Sequence, residues 1–184
     1  MLTATGIKRI LYAETSVVKG DLTPATLKVM IEAAETAKHE VKNVHGDTWS
    51  LEEAEASVTA YKNALSGQKY RQDMEMGDIV ASFTVGQYDY QQKAELMGGD
   101  VIKGTGEKII GWKRAQGIVE KYNCLMFLTK DNQWCVFPKS AVAAREANTD
   151  KAVGLAVKAS ALEPDSKEVS SEYWFDAAEV FPVI

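Results

Sequence analysis

The chain has 184 residues, 46% of them apolar, with 26 acidic against 21 basic side chains and a formal net charge of -5. A chain of this length buries roughly 70% of the surface it would expose unfolded, so one domain over residues 1–184 is the expectation. Its acidic balance argues against a protein that wraps nucleic acid through its phosphates, and its longest apolar stretches, 124–128 and 152–157, fall short of the roughly 20 residues that span a bilayer.

The first nine residues lack a basic segment followed by an apolar run, so no secretory signal is expected and synthesis in the cytoplasm is. Residues 6–13 read as a short edge strand. At Thr23-Pro24 an N-cap residue precedes a proline at the first helical position, and Leu27, Met30, Ile31 and Ala34 follow at helical spacing. This predicts a helix ending near Lys38. Residues 39–44 read as a strand approaching a turn at Gly46-Asp47. Residues 48–61 mix helix formers (Leu51 to Ala56) with strand formers (Ser57 to Tyr61), and an extended segment is expected there.

Tyr70, Gln72, Met74 and Met76 alternate with Arg71, Asp73 and Glu75, the pattern of a half-buried strand. Ile79, Ala81, Phe83 and Val85 alternate in the same way after Gly77-Asp78, so a hairpin of these two strands in the principal sheet is predicted. Residues 86–117 hold seven of the 13 glycines, and read as a long glycine-rich excursion around a short helix at 90–96. Loops of that length are usually functional or mobile. Strands are expected again at 118–129, 134–137 and 153–161, and Tyr173-Trp174-Phe175 closes the sheet. A turn at 130–133, with Thr129 opposite Trp134, places Cys135 opposite Leu128 and Cys124 opposite Lys139, too far apart for a disulfide.

Catalytic signatures are weak. His39 and His45 are six residues apart, about 20 Å along a strand, so they cannot share a metal unaided, and Asp47 beside His45 reads as turn chemistry. Glu52, Glu53 and Glu55 read as a solvated acidic face. Gly104-Thr105-Gly106 lacks the rest of a phosphate loop, neither cysteine has a neighbouring histidine, and no Gly-x-Ser-x-Gly elbow occurs. Tyr88, Tyr90 and Trp112 with Lys113 and Arg114 suggest core filling or protein contact more than a stacking surface for nucleic acid. No catalytic, cofactor or metal residues are assigned.

The order of several segments carries a resemblance. Val41-Lys42-Asn43-Val44-His45-Gly46-Asp47-Thr48-Trp49 leads into the run from Ser57 to Gly67 and then Tyr70-Arg71. Phe83-Thr84-Val85-Gly86-Gln87-Tyr88-Asp89-Tyr90, Lys93-Ala94-Glu95-Leu96-Met97-Gly98-Gly99, Gly111-Trp112-Lys113-Arg114 and Phe137-Pro138-Lys139 follow. Lys151 to Val157 and Glu172-Tyr173-Trp174-Phe175 complete the series. In this order they resemble the major tail tube proteins of long-tailed bacteriophages.

The resemblance implies a mainly β fold, a β-sandwich or small β-barrel with one flanking α-helix, similar to phage tail tubes and type VI secretion tubes. It implies a structural, non-enzymatic virion protein without a cofactor, made in the cytoplasm of a bacterial host and placed in the tail, away from any membrane. Its partners would be copies of itself in stacked hexameric rings, other phage tail proteins, and DNA passing through without specific binding. Closing a ring would also satisfy unpaired strand edges. Glu53 and Glu55 are candidate lumen-facing acids, since a negative lumen repels DNA. Tyr88, Tyr90, Leu96 and Trp112 are candidates for an assembly loop that orders against neighbours. The competing expectations are a ligand-binding β-barrel whose glycine-rich excursion acts as a lid, and a hydrolase using Glu52 or Glu55.

Overall fold

The computed structural model describes residues 4–117 and 119–182. Ile118, where a strand was expected to begin, and the extreme ends of the expected 1–184 domain lie outside the described residues. In chain order the elements are β1 (Arg9–Glu14), α1 (Pro24–Thr36), β2 (Ser50–Glu53), β3 (Ser57–Lys62), β4 (Lys69–Glu75), β5 (Ile79–Val85) and α2 (Tyr90–Met97). Then come β6 (Asp100–Lys103), β7 (Ile109–Lys113), β8 (Lys121–Leu128), β9 (Gln133–Thr149), β10 (Ala152–Ala161), β11 (Tyr173–Asp176) and α3 (Ala177–Val180). The fold is mainly β, as expected, with helices flanking a sandwich-like sheet that is not closed into a barrel.

Six strands pair in the order β1-β8-β9-β10-β5-β2, with β11 added on β9. Every pairing is antiparallel. The 17-residue β9 is the spine. Its first part, Gln133 to Val136, pairs with β11, and its second part, Ser140 to Thr149, pairs with β10. The change of partner falls at Pro138, and the β8–β9 register shifts opposite the same point. Proline has no N–H to give to a ladder, so a strand can break and change partner there at little cost.

The partner change gives the molecule two cores. In β1, β8 and the first part of β9 both faces are buried. Leu11, Ala13, Cys124, Met126, Leu128, Trp134 and Val136 pack beneath α1 and α3 with Leu27, Met30, Ile31, Ala34 and Val180. Ile10, Tyr12, Leu125, Phe127, Cys135 and Phe137 face the other way, against Ala81, Phe83 and Val85 of β5 and Leu155, Val157 and Ala159 of β10. The centre of this second core is occupied by rings in contact: Phe127 lies 5.4 Å from Phe137, 6.4 Å from Phe83 and 5.0 Å from Trp49 between centroids.

α1 begins where the sequence places it. The Thr23 hydroxyl accepts from the Thr26 N–H while the Thr26 hydroxyl accepts from the Thr23 N–H, and Pro24 opens the first turn. Such a cap contributes about 1 kcal/mol. The expected strand at 39–44 is reduced to isolated bridges, Leu11 with Glu40 and Val44 with Val85. Both cysteines are free and buried, one in each core. The expected hairpin register is off by one residue: Leu128 pairs with Trp134 and Phe127 with Cys135. The Thr129 N–H donates to the Gln133 carbonyl, so the turn is one residue shorter than read.

A second correction concerns residues 70–85. β4 does not form a hairpin with β5; it folds back on β3, and β5 takes β10 and β2 as its neighbours. Ile79, Ala81, Phe83 and Val85 belong to the principal sheet as expected, whereas Tyr70, Met74 and Met76 do not.

Candidate assembly surface

β3 and β4 form a two-stranded arm inserted between β2 and β5. The Ala54 N–H donates to the Asp78 carbonyl at 2.9 Å, so the β2–β5 pairing runs on to the root of the arm. At that crossing Gly77 presses against Ala54: a Cβ at Gly77 would stand 1.8 Å from the Ala54 carbonyl oxygen. Any side chain there forces the two backbones apart, and this is why a glycine stands at the root.

Along the arm Val58 pairs with Met74, Ala60 with Gln72 and Tyr61 with Arg71. One face carries Val58, Ala60, Gln72, Met74 and, by alternation, Met76. The other carries Thr59, Tyr61, Arg71, Asp73 and Glu75, where the Arg71 guanidinium binds Asp73 at 2.9 Å and lies 5.0 Å from the Tyr61 ring centroid. No residue of either strand is buried. Tyr70 is 70% exposed, Met74 65%, Met76 84% and Leu65, at the tip, 98%. Apolar side chains this open, grouped on a projecting hairpin, make the arm a candidate contact surface, and a two-stranded hairpin is marginally stable by itself.

Glu53 is the last residue of β2, opposite Ile79, and Glu55 lies in the short link to β3; both are exposed at the root of the arm. Glu52 is exposed beside them. The outer edge of β2 has no strand partner among the described residues.

The glycine-rich excursion contains the expected helix, α2, and a second hairpin, β6–β7, that the sequence reading missed. Gly104, Thr105 and Gly106 form its tip, with the Gly104 N–H donating to the Lys108 carbonyl at 2.8 Å. Of the four residues expected in an assembly loop, three are engaged by their own domain. Leu96 is buried in the second core, Trp112 donates from Nε1 to the Gly98 carbonyl at 2.9 Å, and half-buried Tyr88 donates to the Val153 carbonyl at 3.2 Å. Tyr90, at the start of α2, is exposed. Lys93 joins these parts: its ammonium is 2.6 Å from Glu146 Oε1 on β9 and 4.2 Å from the Trp112 ring centroid, and Arg114 reaches the other Glu146 oxygen at 3.1 Å. The Lys93 hydrogen bond holds the Glu146 carboxyl below its usual range.

The histidines have separate surroundings. His39 stacks on Tyr12 at 5.1 Å and lies 3.7 Å from Glu95, whereas His45 lies 3.3 Å from Asp150. Tyr12 donates to Glu95 at 2.6 Å, and burial followed by that carboxylate pushes its hydroxyl pKa up. Burial pushes the Cys124 thiol up to about 12 and raises Cys135 as well, so neither is a ready nucleophile at neutral pH. Among the described residues no group of three or more His, Cys, Asp or Glu side chains is placed to hold a metal ion. A cleft of about 520 Å³ lies at the surface between the start of β1 and residues 41–47, with Trp49 on its wall. Compared with known proteins, the chain matches no family model and no curated sequence.

Proposed function

We propose that the chain is a self-assembling structural subunit of the tail tube type, building stacked rings through which phage DNA passes. The observation that carries this reading is the β3–β4 arm, whose apolar face has no cover among the described residues. The unpaired edge of β2 adds a second surface that a neighbouring strand would satisfy. In this reading Glu53 and Glu55 contribute to a negative lumen, the protein resides in the virion tail, and its partners are other copies and other tail proteins.

Electron microscopy of the concentrated protein tests this directly. Rings or tubes are expected from the parent chain, and neither from a variant in which residues 57–75 are replaced by a short turn. That variant keeps the sheet intact, because the arm contributes no buried residue. A parent chain that remains a small discrete particle at every concentration rules the reading out.

A further inference from the structure

Charge is sorted along the arm. Between residues 52 and 78 the only basic residues are Lys62, Lys69 and Arg71, all in the outer part, and the acidic ones, Glu52, Glu53, Glu55, Asp73, Glu75 and Asp78, all lie toward the root. Lys62 and Lys69 face each other across the ladder next to the tip. Lys69 hydrogen-bonds Gln72, and neither lysine has a carboxylate within salt-bridge distance among the described residues. Like charges paired across a ladder destabilise it, so the tip gains from an outside acid.

We infer that before any ring forms, the arm's apolar face is covered by the arm of a second copy, laid antiparallel with each tip on the other's root. The pattern complements itself in that arrangement. A two-fold rotation brings Val58 and Met74 of both copies into one apolar layer and sets Lys62 and Lys69 of each copy beside Glu53 and Glu55 of the other. A parallel alignment would instead place lysines on lysines and acids on acids. Two-fold pairing also closes on itself and consumes both apolar faces, giving a discrete dimer and no chain of copies. This pairing masks both arms, and it stands whether or not the ring reading holds.

Sedimentation velocity of the full chain at low salt, below the concentration at which larger assemblies form, tests the pairing. The parent is expected to sediment as a dimer that weakens as salt is added, because exposed ion pairs are screened. Two double variants separate the possibilities: Lys62→Glu with Lys69→Glu reverses the tip, and Glu53→Lys with Glu55→Lys reverses the root. Each alone meets repulsion at both contacts and is expected to dimerise at least ~10-fold more weakly, or about 1.4 kcal/mol. Mixed together, their tips and roots are again opposite in charge, and a mixed dimer is expected. Unchanged circular dichroism confirms that each variant is folded. A monomeric parent, a dimer indifferent to both reversals, variants that do not combine, or an open-ended series of larger species would each overturn the two-fold pairing.

Discussion

Two hairpins leave the principal sheet, and they differ in how they are held. The β6–β7 hairpin is tied down by α2 and the Lys93, Glu146, Arg114 and Trp112 group, with Leu96 driven into the core below. The β3–β4 arm has its ladder, its tip turn and the Gly77–Ala54 crossing at its root. Both are short antiparallel ladders of similar local geometry. What separates them is tertiary: one spends its apolar side chains inside its own domain, and the other presents them outward. An element of the first kind adds to the stability of the monomer; one of the second kind is stabilised by whatever it meets.

Substitutions should divide along the same line. Phe83→Ala, deep in the second core, is expected to cost about 3–5 kcal/mol in denaturant unfolding. Leu96→Ala, under the excursion, is expected to cost about 2–5 kcal/mol, and a loss below about 1 kcal/mol would place α2 and its hairpin with the arm. Limited proteolysis of the free chain should cut at Lys62 or Lys69 before Lys103 or Lys108; earlier cleavage in β6–β7 would reverse the comparison. Acid should loosen the excursion first. The Glu146 pKa is lowered in the folded state, so its contribution is complete above the unfolded carboxyl value of about 4.3 and fades as pH falls through the lower folded value. Protection of the β7 amides, corrected for the slower intrinsic exchange in acid, should therefore fall as pH drops through the carboxyl range, and Lys93→Ala should remove that dependence. The smallest effect is expected for Met74→Ala, within about 0.5 kcal/mol in the unassembled chain.

The arm was half legible in the sequence. Alternation at Tyr70, Gln72, Met74 and Met76 reports an amphipathic strand, but a period of two says nothing about what covers the apolar side. Gly77-Asp78 pointed to β5 as the partner, whereas the true one, β3, lies in residues 48–61, where an extended segment is expected from Ser57 to Tyr61 but nothing local names its neighbour. α1 was fully legible because Thr23, Pro24 and the Leu27 to Ala34 spacing act locally. β9 was read only to Phe137. Its continuation through Ala141, Ala143, Ala144 and Glu146 is rich in helix formers, and it becomes strand because β8 and β10 flank it. Lys93, which lies over the Tyr88 and Trp112 rings, meets Glu146, a contact across 53 residues that no local pattern announces.

The pairing of β1 with β8 sets an order in time. Arg9 must wait for Leu128, β5 for Leu155 to Ser160, and β11 can join β9 only after residue 176 has been made, so although β8–β9 and β9–β10 are local hairpins, the sheet is completed by distant contacts that form slowly. The arm is a local hairpin, of a kind that closes in about 1–10 μs. On the ribosome it can therefore take shape while the sheet that will carry it is still unfinished. A young chain then exposes the apolar side of this limb before the body that carries it is complete.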